Sequence, residues 1–298
     1  MIAAGPSGFV NLVKPPGMTS HDAVSAARRW SGQAAIGHTG TLDPGAAGVL
    51  VLAVGRATRL ARYVLEGAKA YRAEMTLGVK TTTQDAAGEV TATADASLIS
   101  RELLEAAIGR RSGQGHQVPP MVSAIKRDGV PLYRLARRGE EIPRQPRPVT
   151  FHRLDLLEFR PGRQALAMLD VECSAGTYIR TLCADLGDDL GVGAHLSFLV
   201  RTASGPFRLE DACTLEELSE GGMSRWLLPP ATGVAGWPKV VLGDADARRM
   251  LHGRPVTVGG GPQGTVQVVD GDGRLLAMAE AMSLEDARRL LPRVVLGS

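Results

Sequence analysis

Aromatic side chains are scarce in this chain: five Phe, four Tyr and three Trp make up 4% of 298 residues. Its core must be mostly aliphatic, and each tyrosine in a polar setting becomes a specific candidate for stacking or proton handling. Cysteine is nearly absent. Cys173, Cys183 and Cys213 form no CxxC and cannot all pair, which argues against a disulfide framework and a structural zinc site and for a reducing compartment. Lysine is rare too: of 34 basic residues five are Lys and 29 are Arg, a planar cation suited to bidentate contacts with carboxylate or phosphate. Neither sign of charge dominates, the formal net charge being +3, so an acidic disordered chain is excluded. Long apolar runs are also missing. The longest, Ala46 to Val54, is interrupted by Gly48 and falls far short of the roughly 20 residues of a membrane span. The opening MIAAGPSGFVNLVKPPG lacks the basic start and apolar core of a secretory signal. A cytoplasmic protein without membrane attachment is expected.

What is present is a globular composition, 44% hydrophobic and 22% charged, at a length that suits two domains. The Gly- and Pro-dense stretch Gly221 to Pro238 reads as a linker or irregular crossing, dividing residues 1–236 from a small β-rich unit at 237–298. In the larger part, strand patterns at Phe9 to Val13, Gly48 to Val54, Tyr71 to Leu77 and Ala165 to Cys173 are interspersed with helical patterns. The helices are expected at Asp22 to Trp30, capped by Ser20, at Glu102 to Arg110, capped by Ser100, and at Tyr178 to Leu190, stopped by Gly191. Without a steady βαβ rhythm this predicts an α+β fold, a mixed and mainly antiparallel sheet with surrounding helices. Residues 112–148 stand out. Between Lys126 and Arg147 they carry seven basic and three acidic residues, an exposed insertion that is either a solvated surface loop or a phosphate-tracking one, with Lys126, Arg134, Arg137 and Arg138 as its candidates for backbone phosphate contact.

Several familiar chemistries find no support. The Gly259 to Gly264 run matches GxGxxG but lies between strand patterns, contains Pro262 and opens no helix, so it is a loop and not a dinucleotide site. The six histidines show no paired ligand spacing, so no metal is expected. No GxxxxGK[ST] and no GxSxG occurs. The informative segment is GHTGTLDPGAAG, residues 37–48, which places four glycines, two threonines, a His and an Asp-Pro directly before an apolar strand. Asp43 there is either a turn initiator before Pro44 or a functional carboxylate, and local pattern alone does not separate the two.

In order and spacing, Lys14-Pro15-Pro16-Gly17-Met18-Thr19-Ser20, the 37–48 loop, Lys69-Ala70-Tyr71, Gly78 to Gly88, Pro119 to Lys126 and Gly176-Thr177-Tyr178-Ile179-Arg180-Thr181 resemble the TruB family of tRNA pseudouridine synthases. The resemblance runs from about Gly8 to about Thr202, and the C-terminal unit is similar, more loosely, to a PUA-type RNA-binding domain. Val13, Ala35-Ile36, Phe198 and Val200 depart from the family pattern, which touches local RNA contacts more than Asp43. The resemblance implies an isomerase that converts the T-loop uridine of tRNA, uridine-55, to pseudouridine after flipping the base. It implies Asp43 as the catalytic carboxylate, Tyr71 as the active-site tyrosine and Arg180 as the partner of the aspartate. It further implies substrate contacts at Leu199, Lys14, Tyr178 and Thr41, with His38 filling the space left by the flipped nucleotide. The T-arm stem-loop is the implied partner, with a monomer needing no second protein.

That chemistry suits the residue types. Moving ribose from N1 to C5 of uracil involves no net redox change and no hydrolysis, so no cofactor is called for. A carboxylate can attack C1′ as nucleophile, or take a proton in a glycal route, much as glycosidases meet a developing cation with carboxylates. A desolvated carboxylate needs a cationic partner, and a planar arginine offers two charge-assisted bonds. The alternatives are a non-catalytic tRNA-binding or tRNA-folding protein on the same scaffold, and a synthase acting on ribosomal or guide-directed RNA.

Overall fold

An apolar strand buried along nearly its whole length has to be covered on both faces, and Ala47–Val54 is such a strand. In the computed structural model it lies inside a ten-stranded sheet. The structure describes residues 5–296 apart from 124, 128, 137 and 141, and the backbone alone at 126, 127, 131 and 133. The strand order is Leu227–Leu228, Gly8–Lys14, Ala47–Val54, Ala194–Ser204, Lys69–Leu77, Leu166–Cys173, Arg147–Arg160, Gly113–Gln117, with Ile36–His38 and Phe207–Arg208 as short side pairings. Pairing is antiparallel except where Val200 and Arg201 run parallel to Ala47 and Gly48, the mixed, mainly antiparallel sheet of an α+β fold.

The period of two along each strand assigns the faces. Val10, Leu12, Leu50, Leu52, Ala73 and Met75 point to a core that also takes Ala23 and Val24 of helix Ser20–Ser31, Leu104 and Ile108 of helix Arg101–Arg111, and Leu182 and Leu186 of helix Ile179–Asp189. Phe9, Val49, Val51 and Ala53 point the other way, against Tyr63, Val64, Phe207 and Val234. The C-terminal unit covers that second face. It is a five-stranded sheet, Lys239–Val241, Gly264–Val269, Leu275–Leu284, Ala287–Val295 and Val256–Gly259 in order, with its own core around Met250, Val266, Val268 and Leu290. It also contributes Val269, Leu275, Met278 and Val294 to the shared cluster. Arg59 donates to the Val295 carbonyl at 2.6 Å, and Trp237 stacks edge-on to Tyr63.

Several elements depart from the sequence expectation for identifiable reasons. The first helix is capped by Thr19, in a capping box with Asp22, and the expected cap, Ser20, turns inward instead. Of the two readings of residues 221–238, the irregular crossing holds and the free linker does not: a short helix at Met223–Trp226, Leu227–Leu228 as an edge strand on Gly8–Lys14 and a 3-10 turn at Pro230–Val234. The basic stretch is likewise partly built in, with Gly113–Gln117 as an edge strand, a short hairpin at Lys126–Arg127 and Val130–Pro131, and a helix at Leu132–Ala136. Strands Arg147–Arg160, Ala194–Ser204 and Ala287–Val295 had no clean alternating signal. The first two carry register shifts between Phe151 and Arg153, Leu156 and Glu158, Leu196 and Phe198, and Arg201 and Ala203, and each bulge breaks the alternation by which a strand is read.

Candidate active site

The 37–48 loop is held by its backbone. Ala46 N–H donates to the Asp43 carbonyl at 3.1 Å, so the turn closes through main-chain groups and leaves the Asp43 carboxylate for other partners. The Ser20 hydroxyl accepts from the Leu42 N–H at 2.9 Å and donates to its carbonyl at 3.1 Å. The Lys14 ammonium donates to the carbonyls of Pro15 and Met18 at 2.8 Å and of Pro44 at 3.3 Å. Gly48 closes the loop at φ +103°, and a Cβ there would lie 2.2 Å from the Arg201 carbonyl. Only glycine permits this crossing.

Asp43 meets Arg180 in the lining of a cleft of about 300 Å³. Arg180 Nε and Nη2 donate to the two carboxylate oxygens at 2.9 and 3.3 Å. Arg180 is 3% exposed, and a cation so buried must be compensated on every donor. Its remaining partners are the carbonyls of Thr83 at 3.1 Å and Val122 at 2.8 Å and, at 3.6 Å, the carboxylate of Asp85. Asp85 belongs to the motif segment after the Tyr71 strand but its role was not read from sequence. Arg180 sits in the first turn of helix Ile179–Asp189. The start of that helix is fixed by Gln117, whose side-chain amide donates to the Tyr178 carbonyl at 3.0 Å and accepts from its N–H at 2.8 Å.

Tyr71, Leu199, Tyr178 and Thr41 line the same cleft. Tyr71 and Arg201 are cross-strand partners, and burial pushes the Tyr71 phenol above its ordinary range while the Arg201 cation opposes the shift. The phenol is therefore protonated at neutral pH, able to donate. Burial also raises Tyr178. His38 is half-buried at the end of strand Ile36–His38, outside the lining of the cleft, with its Nδ1 accepting from Gly40 N–H at 3.4 Å. Burial, then Arg201, lowers its pKa, so the ring is neutral with its proton on Nε2. Lys14 is fully buried beneath the loop and does not line the cleft. Two cations that line the cleft have no role in the sequence reading: Lys69, whose ammonium caps the carbonyls of Val64, Leu65 and Gly67, and Arg201. A buried cation bound to backbone looks, in sequence, like any surface cation. Among the described residues, no group of three His, Cys, Asp or Glu could hold a metal. Of the RNA-backbone candidates, Arg134 and Arg138 are exposed; Arg137 and the side chain of Lys126 lie outside the described residues.

The arrangement offers a carboxylate in a small concave site, a cation that fixes both its oxygens, a protonated phenol beside it, and a leucine that can press on a planar base. The N-terminal domain model of the TruB family pseudouridylate synthases matches residues 28–179. The tRNA pseudouridylate synthase B C-terminal domain matches 180–225, and the C-terminal domain of pseudouridine synthase II TruB matches 238–296. A tRNA pseudouridine synthase B of Symbiobacterium thermophilum is 58% identical over 246 residues, 83% of this chain and 82% of that protein. Its counterpart in Pseudomonas aeruginosa is 44% identical over 300 residues, 98% and 96% of the two chains. Among solved structures, a chain of a Cbf5-Nop10-Gar1 complex superposes with TM-score 0.75 at 30% identity, covering 96% of this chain and 83% of that one. A chain of an H/ACA RNP bound to a substrate RNA containing 2'-deoxyuridine gives TM-score 0.75 at 27% identity, covering 98% and 85%. No helix among the described residues is long and apolar enough to cross a membrane. The chain belongs to the TruB family of tRNA pseudouridine synthases and is an isomerase.

Proposed function

We propose that this synthase isomerises the T-loop uridine of tRNA, uridine-55, with Asp43 as the nucleophile. The observation that carries the reading is the Asp43–Arg180 pair inside a cleft lined by Tyr71 and Leu199. The target base leaves its stack at a cost of a few kcal/mol, least in a loop that is already partly unstacked. Asp43 attacks C1′, the N1–C1′ bond breaks and uracil departs as an anion. The ring turns in place, C5 attacks C1′ and displaces the carboxylate, C5 loses its proton and N1 gains one. Atoms balance without a cofactor. In the glycal route Asp43 instead removes the 2′ proton and returns it. Arg180 serves both routes by aiming the carboxylate, and the cleft serves them by holding water away from the intermediate. Tyr71 lies where it can stack on the base and hydrogen-bond to it.

In this reading residues 1–236 are the catalytic domain and 237–298 a PUA-like RNA-binding domain. Lys14 and Thr41 act through the loop, Tyr178 and Leu199 touch the nucleotide, and His38 fills the gap left in the RNA stack. The protein acts as a monomer in the cytoplasm on the T-arm stem-loop alone. The test is incubation of unmodified tRNA, and of an isolated T-arm stem-loop, followed by mapping of pseudouridine. Product at the T-loop uridine of both substrates is expected. Asp43→Asn should bind tRNA nearly as well and form none, whereas appreciable product from it would remove the nucleophile. Reaction with full RNA assemblies only would favour a guide-directed enzyme.

A further inference from the structure

Arg201 heads the fully buried side chains in size, at 2% exposed. A cation removed from water without a counter-ion is costly, and among the described residues no carboxylate stands within ion-pair distance of it. Its compensation comes from three backbone carbonyls: Val49 at 2.7 Å from Nε, Gly40 at 3.0 Å from Nη2 and Thr41 at 3.4 Å from Nη1. All belong to the segment that carries Asp43, two before it and one after it. Arg201 also lies between the key partners in the sheet, opposite Tyr71 on one neighbouring strand and opposite Gly48 on the other.

We propose that Arg201 is a positioning residue that ties both limbs of the Asp43 loop to the Leu199 strand and so sets where the carboxylate stands over the cleft. Arg201 lines the cleft, but all three of its nitrogens are committed to those carbonyls, so its part is to hold the loop. Lysine cannot replace it: an ammonium suits three carbonyls gathered about one nitrogen, as at Lys14 and Lys69, whereas Val49, Gly40 and Thr41 are met from three separate nitrogens of a spread guanidinium. The catalytic consequence rests on the function proposed above; the effect on the loop does not.

The test compares Arg201→Lys, which keeps the charge, with Arg201→Gln, which keeps donors without charge, well below their unfolding temperatures. Hydrogen exchange at the amides of Thr39, Leu42 and Ala46, bonded to Val51, Ser20 and Asp43, should speed by about tenfold or more while strand Gly8–Lys14 stays protected. The single-turnover rate of pseudouridine formation should fall about hundredfold, the cost of a misplacement near 1 Å, with the tRNA Kd within about threefold. Wild-type loop exchange and rate in either folded variant would overturn the proposal. So would protection lost evenly across the sheet with a normal rate per folded molecule, the mark of a merely structural arginine. A loosened loop in the variants, alongside a wild-type chain that leaves tRNA unmodified, would instead strike the assigned reaction and leave the positioning role standing.

Discussion

Lys14 and Lys69 are ammonium groups taken out of water and given carbonyls in place of carboxylates. Burial lowers both from 10.5 to about 8. Between pH 8 and 9 the folded chain has shed these protons while the unfolded chain keeps them, so stability must rise with pH across that window. Above pH 9 the sign reverses. Burial pushes the thiols of Cys173 and Cys213 up to about 11 and that of Cys183 to about 12, and it raises the phenols of Tyr71 and Tyr178. The unfolded chain then loses its protons first and is favoured. The denaturant midpoint is expected to climb from about pH 7.5 to about pH 9 and to fall above about pH 10, the climb shrinking in Lys69→Met. A flat profile would mean that both lysines hold their protons. The same burial explains what could be read in advance. Asp43, Tyr71 and Arg180 came from the family resemblance, with Asp43 also marked by its setting in a loop rich in glycine. Arg201 and Asp85 did not, since their partners are backbone carbonyls and another side chain's far nitrogen, which leave no spacing in the sequence.

The Asp43 loop also shows which glycines the fold requires. A Cβ at Gly48 would meet the Arg201 carbonyl at 2.2 Å and its nitrogen at 2.7 Å, with φ at +103°, whereas one at Gly45 meets nothing within 4 Å. Gly48→Ala has to strain the backbone and push apart the parallel pairing of Gly48 with Arg201, so it should cost about 3 kcal/mol or more, while Gly45→Ala should stay within about 0.5 kcal/mol. Urea titrations of the two variants check this, and equal midpoints would refute the close crossing. Sequence could see that the segment was glycine-rich but not which glycine met a neighbour, because the neighbour comes from a strand about 150 residues away. That strand, Ala194–Ser204, was itself illegible. Its bulges and its mixture of Ser197, Phe198, Val200 and Arg201 follow a site on one face rather than a simple alternation, so it escapes a reading that finds the more regular strands on either side of it, Ala47–Val54 and Lys69–Leu77.

A formal charge of +3 says little about a chain that binds nucleic acid, because what matters is how many cations remain uncommitted. Arg72 is taken by Asp170, Arg111 by Asp185 and Asp189, Arg153 by Asp155 and Asp170, and Arg160 by Glu158. Arg180 and Arg201 are locked inside. Arg134 and Arg138 stand exposed, and Arg138 approaches Glu140 only at 3.9 Å with both side chains in solvent, a contact worth little. The insertion that carries them is rooted at the site through the Val122 carbonyl on Arg180, and in the function proposed above its exposed cations are the ones left for phosphate. Neutralising Arg134, Arg137 and Arg138 together should therefore weaken tRNA binding and lower the slope of log affinity against log salt by about 2 to 3, one phosphate contact for each charge removed. Arg153→Gln, which removes a surface arginine already paired, should leave the slope unchanged. Filter-binding isotherms over a salt series measure both, and an unaltered slope in the triple variant would make the basic stretch an ordinary solvated surface.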